Sequence, residues 1–131
     1  MTSATPFLMF AGTAQAAMDL YVSLFPDSRI VRADHYALNE LGPAGSIKAG
    51  IFTLCGREFM CCDSPVKQAF PFTPANSIFV ECETADLLDR VFSTLAVEGK
   101  ILMPLNNYGF SQRFAWLSDR FGVSWQINLA G

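Results

Sequence analysis

The sequence contains a single histidine, and only 16% of its 131 residues are charged. That scarcity narrows the chemistry on offer, because imidazole is the side chain whose ordinary pKa falls in the physiological range. The nine Lys and Arg are scattered singly along a chain of net charge −3, so no basic stripe exists to track a phosphate backbone. Nucleic acid is not an expected partner. No apolar run approaches the roughly 20 residues that a spanning helix needs, and no membrane segment is expected. The opening stretch, MTSATPFLMF, has no basic n-region and enters an apolar strand at once, so no secretory leader is expected.

Cys55, Cys61, Cys62 and Cys82 sit in apolar, strand-like segments and form no C-x-x-C pair. Cys61 and Cys62 are adjacent, which in a strand sends their side chains to opposite faces and prevents joint chelation of one metal. Buried free thiols are the expected state, suited to a reducing, cytoplasmic setting. Also missing is a glycine-rich strand-to-helix turn of the kind that dinucleotide and adenosyl cofactors occupy.

What is present is apolar, at 51% of the chain, enough for one globular domain to bury a core. It also repeats. TAQAAMDLYVSLFPDSRIV (13–31) aligns without gaps on TADLLDRVFSTLAVEGKIL (84–102). Thr13/Thr84, Ala14/Ala85, Leu24/Leu95 and Ile30/Ile101 are identical. Leu20/Val91, Tyr21/Phe92, Ser23/Thr94, Asp27/Glu98, Arg29/Lys100 and Val31/Leu102 keep their chemistry. The match runs through the loop into the next strand, further than shared amphipathicity explains, so a repeated supersecondary unit is the better account.

FLMF (7–10) reads as a strand. Thr13 then serves as an N-cap whose hydroxyl accepts from a first-turn amide, and Ala17, Leu20, Tyr21 and Leu24 form one apolar helix face ended by Pro26. SRIVRADHY, SIKAGIFTL and EFMCCD read as strands, separated by the loop NELGPAGS and a tight turn at Cys55-Gly56. After SPVKQAFPFTP the pattern restarts. SIFVEC is a strand, Thr84 caps a helix with Leu88, Val91, Phe92 and Leu95 inward, and KILMPL follows. SQRFAWLS and VSWQINL pair through the turn from Asp119 to Gly122. The expected fold class is α+β, two tandem βαβββ modules forming a curved sheet around a cleft: module one 1–66, connector 67–75, module two 76–131.

FAGTAQAAMDLYVSLFPDSRI, FVECETADLLDRVFSTL and WLSDRFGVSWQI together make nearly the whole chain similar to the PhnB-like, or demethylubiquinone methyltransferase-like, branch of the vicinal oxygen chelate (glyoxalase/bleomycin resistance) superfamily. Despite that branch's description, the absence of a glycine-rich turn argues against binding a methyl donor in the adenosyl manner. Superfamily enzymes of the glyoxalase type hold a divalent ion with one side chain from the first strand and one from the last strand of each module. Carried over, these positions fall at Pro6, Met60, Ser77 and Gln126, none of them His, Asp or Glu, whereas such ions take imidazole or carboxylate donors. A slip of one residue, to Thr5 or Phe7, Asn76 or Ile78, Phe59 or Cys61, Trp125 or Ile127, rescues nothing. No metal or other cofactor is expected. His35 reads as a surface or edge-strand side chain.

Strand alternation puts the ligand-binding candidates Phe10, Met60 and Cys62 from module one, and Ser77, Phe79, Gln126 and Asn128 from module two, on the cleft side. Glu81 is the candidate acid or base; the competing reading is a solvated carboxylate beside a helix N-terminus. Gln126 either holds a ligand or satisfies a neighbouring strand. Trp116 and Trp125 read as core or interface anchors, and Phe70 and Phe72 as a lid, an arm or a dimer contact. The expected function is metal-free binding of a small molecule of unknown identity, in a homodimer because superfamily chains of this length commonly pair. The alternative is a lyase or isomerase using Glu81 or a divalent metal held elsewhere.

Overall fold

The computed structural model describes residues 2–67 and 70–130 and falls into two compact units, one through residue 69 and one from Phe70. Gln68 and Ala69, part of the expected connector, lie outside the described residues.

The first unit runs β1 (Phe7–Phe10), α1 (Ala14–Leu24), β2 (Arg29–His35), β3 (Ile47–Leu54) and β4 (Arg57–Asp63). Its sheet has the order β1-β4-β3-β2, with β1 parallel to β4 and the other pairs antiparallel. Cys55 and Gly56 turn β3 into β4 with φ of 52° and 79°, the pair of left-handed residues that a two-residue hairpin favours. α1 buries Ala14, Ala17, Met18, Tyr21 and Leu24. Met18 thus takes the place expected of Leu20, which is only half-buried. The reason lies across the interface at Gly50, where a Cβ would come within 3.1 Å of Met18 Sδ and 2.7 Å of Cys61 Sγ. The bare backbone leaves a hollow that the flexible thioether fills. Tyr21 lies against Phe52 with ring centroids 6.3 Å apart, and Phe52 stacks on its cross-strand partner Phe59 at 5.4 Å.

The second unit runs β5 (Ser77–Cys82), α2 (Ala85–Leu95), β6 (Lys100–Asn106), β7 (Phe114–Ser118) and β8 (Ser124–Leu129). Its sheet order, β5-β8-β7-β6, repeats that of the first, with β5 parallel to β8. Leu88, Val91 and Leu95 of α2 and Leu117, Trp125 and Ile127 of the sheet are fully buried, each such side chain contributing about 1.5–3 kcal/mol. The buried Asp119 closes the β7–β8 turn. Its Oδ1 accepts from Phe121 N at 2.8 Å and Val123 N at 3.1 Å, and its Oδ2 from Trp125 Nε1 at 2.8 Å. The fold is α+β, built of two repeated βαβββ modules.

The two helices begin differently. Thr84 Oγ1 accepts from Leu87 N at 3.1 Å, a regular N-cap. Thr13 makes no side-chain cap bond, contrary to expectation. Asp63, from the far end of β4, replaces it: Oδ1 accepts from Gly12 N at 2.9 Å and Ala14 N at 3.0 Å, and Oδ2 from Ile47 N at 2.9 Å. The cause is one additional residue between strand and helix. Phe7 pairs with Met60 as Phe79 pairs with Gln126, yet Thr13 matches Thr84, so the first link is longer by a residue. Gly12 absorbs it at φ +102°, a conformation that suits glycine.

Candidate functional site

β5 and β8 pair in the register Ser77↔Ser124, Phe79↔Gln126 and Glu81↔Asn128. Residues so paired share a face, and successive residues alternate. The buried Trp125 and Ile127 face α2, so Ser77, Phe79, Glu81, Gln126 and Asn128 share the side away from the helix. Phe79 is 53% exposed there. β7 sets Trp116 beside Gln126 and Phe114 beside Asn128. Ser77 is already engaged: its hydroxyl lies 2.6 Å from that of the buried Ser124, which also accepts from Trp116 Nε1 at 2.9 Å.

At the other end of this row, Asn128 Nδ2 donates to both oxygens of Glu81, at 3.1 and 3.2 Å. Glu81 is exposed. The amide is thereby fixed with Oδ1 turned away, shielded from solvent and meeting no hydrogen-bond donor among the described residues. Asn128 also lines a surface pocket of about 320 Å³ with Leu129 and the loop residues Asn107, Phe110, Ser111 and Gln112. Sequence reading passed over that loop, although Asn-Asn-Tyr-Gly-Phe at 106–110 signals a turn bearing two rings. Gly109 N donates to Asn107 Oδ1 at 2.8 Å, and the Tyr108 hydroxyl to Pro104 O at 2.5 Å. Phe110, Tyr108 and Phe79 surround the buried Phe114, with ring centroids 5.0, 6.1 and 6.4 Å from it.

In the first module, the register sets Phe7 with Met60 and Met9 with Cys62. Phe10 therefore does not share their face. It pairs with Asp63 on the α1 side and is 1% exposed. This corrects the placement of Phe10 among cleft residues: the additional residue in the β1–α1 link shifts the alternation by one. Met60 is half-buried and Cys62 buried. Cys55 is exposed at the hairpin, contrary to expectation, whereas Cys61, Cys62 and Cys82 are buried and all four are free. Burial, helped by neighbouring Cys62 and Asp63, pushes the Cys61 thiol up to about 12. Burial and Asp63 raise Cys62 as well, and burial and Asp27 raise Cys55. Thiols held protonated are poor nucleophiles at neutral pH.

His35 is exposed on the edge strand β2, with Nε2 3.2 Å from Gln15 Oε1. Trp125 is a core side chain, Trp116 is half-buried and Phe70 exposed. Phe72 lies where a Cβ on Gly122 would meet its ring at 3.7 Å. A groove of about 590 Å³ in the first module runs past Gly12, Pro43, Pro65 and Val66 to Asp63, whose carboxylate is occupied by backbone amides.

The superfamily's metal position can be tested on this register. Because Phe7 corresponds to Phe79, the counterpart of Ser77 is Thr5 rather than Pro6. Thr5, Met60, Ser77 and Gln126 offer hydroxyls, a thioether and an amide, which do not make a site for a divalent ion of this kind. Among the described residues, no group of three or more His, Cys, Asp or Glu is placed to hold a metal.

The family model described as 3-demethylubiquinone-9 3-methyltransferase matches residues 2–128. The chain belongs to this family. A solved structure described as a putative 3-demethylubiquinone-9 3-methyltransferase, PhnB protein, from Bacillus cereus is 51% identical, covering 98% of this chain and 100% of its own, with a TM-score of 0.96. Protein PA1353 from Pseudomonas aeruginosa, 22% identical over 98% of each chain, gives 0.84. The fosfomycin resistance protein FosX from Mesorhizobium loti, 12% identical over 99% of this chain and 92% of its own, gives 0.61. These last two show the shared fold. No curated protein matches the chain. The family match agrees with the PhnB-like resemblance carried by the sequence.

The family description names a methyl transfer, but this member does not fit an adenosyl methyl donor held in the doubly wound manner. Each sheet has a single parallel pair, and the α1 N-terminus, where an anionic cofactor group would dock, is filled by Asp63. No helix among the described residues is long and apolar enough to cross a membrane.

Proposed function

We propose that this PhnB-like protein binds a small organic molecule on the helix-free face of its second module, with no divalent ion at the superfamily's position. The carrying observation is the Phe79–Gln126 pair: a ring 53% exposed beside a half-buried amide, with Glu81 and Asn128 one step along and a pocket of about 320 Å³ at the end of the row. An apolar platform with a few orienting polar groups is the make-up of a small-molecule site. A homodimer in the cytoplasm belongs to the same proposal; the free thiols suit a reducing compartment, and a 14.4 kDa particle in light scattering would remove the dimer.

The test is a titration with hydrophobic and amphipathic compounds, followed by calorimetry and tryptophan fluorescence. Saturable binding is expected, weakened about tenfold by Phe79→Ala or Gln126→Ala. Failure of every compound to bind, or binding indifferent to both substitutions, contradicts the proposal.

A further inference from the structure

We infer that the molecule bound on this face is an organic cation, a protonated amine or amidinium on an apolar or aromatic body; the inference rests on the small-molecule reading above. Asn128 Nδ2 reaches both oxygens of Glu81. Turning the amide over would set Oδ1 against two carboxylate oxygens, so the orientation is locked and the buried Oδ1 is held as an acceptor in want of a donor. Glu81 keeps further lone pairs, since a carboxylate offers about four acceptor sites and Asn128 takes two. Among the described residues, Glu81 forms no ion pair. Arg113, just before β7, is tied to Asp89 at 2.5 Å and does not neutralise it.

The remaining walls point the same way. Phe79 and Phe110, 53% and 68% exposed, present ring surface that attracts a cation. Asn107 and Gln112 can donate or accept and do not discriminate by charge, while Ser111, whose hydroxyl donates to Arg113 O at 2.9 Å, has only a lone pair left to offer. An anion would meet the Glu81 carboxylate, which no basic side chain among the described residues offsets, and a neutral ligand would leave that charge without a partner. The chain's net charge of −3 favours the approach of cations. Asn128 Oδ1 is shielded from solvent, so a ligand N–H reaches it only as the side chains around it give way. The hydrogen bond then made satisfies an otherwise unmet buried acceptor.

The experiment compares three probes of similar shape, 2-phenylethylammonium, 2-phenylethanol and 3-phenylpropionate, by calorimetry and tryptophan fluorescence at low and high salt. The ammonium probe is expected to bind about tenfold more tightly than the alcohol, with a margin that shrinks in high salt. Glu81→Gln should abolish the margin and Glu81→Asp retain part of it, with thermal melts confirming that both variants fold. Equal or tighter binding of the alcohol or carboxylate, an ammonium margin that survives Glu81→Gln, or no binding by any probe overturns the inference. The broader reading falls separately, when the wider compound panel also fails or its binding ignores Phe79→Ala and Gln126→Ala.

Discussion

Ala14 and Asp63, 49 positions apart in sequence, are joined by a 3.0 Å hydrogen bond from a backbone N–H to a buried carboxylate. The start of the first helix is therefore held by a tertiary contact, whereas the second is held locally by Thr84.

Substitution should expose that asymmetry. Asp63→Ala leaves the amides of Gly12, Ala14 and Ile47 without their acceptor and should cost about 3 kcal/mol or more. Thr84→Ala should cost about 1 kcal/mol, and Thr13→Ala, at an exposed side chain with no cap bond, within about 0.5 kcal/mol. Urea denaturation measures all three; a Thr13→Ala cost equal to that of Thr84→Ala would refute the assignment.

Gly50→Ala should be felt through Cys61 and Met18, whose sulfurs lie 2.7 and 3.1 Å from the added carbon. Overpacking of this sort costs about 1–3 kcal/mol. Because Cys61→Ala clears the nearer clash, the double variant should be more stable than the sum of the single effects by roughly 1 kcal/mol. Strict additivity would mean that the hollow relaxes by another route.

The thiols make two predictions. In native protein at neutral pH, maleimide should label Cys55 and spare Cys61, Cys62 and Cys82 until the chain unfolds, as mass spectrometry of the labelled peptides will show. Their titration also links stability to alkaline pH. Folding raises the Cys61 thiol from 9.0 to about 12, so between those values the unfolded chain binds fewer protons than the folded one. The contribution is fully present below about pH 9 and is lost as pH rises toward 12. Cys61→Ala should flatten this alkaline decline in denaturation midpoints; an unchanged slope contradicts the linkage.

Protein purified without chelator should carry no stoichiometric zinc, nickel, iron or manganese by elemental analysis, and chelator should leave its melting temperature and ligand affinity unchanged. One equivalent of any of these metals would show that donors other than Thr5, Met60, Ser77 and Gln126 have been assembled.

Much of this was readable from local pattern, and the remainder depends on contacts between distant positions. The period-two alternation of SIFVEC and VSWQINL places Phe79, Gln126 and Asn128 together because no residue is added or lost within the two paired strands. Phe10 escaped the same logic: a gapless match between helices says nothing about the length of the link before them, and Gly12 changes the phase. Asp63 looks like any strand end until the fold brings it to the helix start. Met18 displaces Leu20 from the buried stripe only because Gly50 lies opposite. The loop at 106–112 advertises a turn in its composition, but its approach to Asn128 is tertiary and carries no signature in either segment.

Chemical-shift mapping of labelled protein during titration with the tightest-binding compound tests the small-molecule site most directly. The account predicts that perturbations gather at Phe79, Glu81, Gln126, Asn128 and the loop 107–112, with the Asn128 side-chain amide among the largest. Perturbations gathered instead around Gly12 and Val66, or none on the second module's helix-free face, would contradict it.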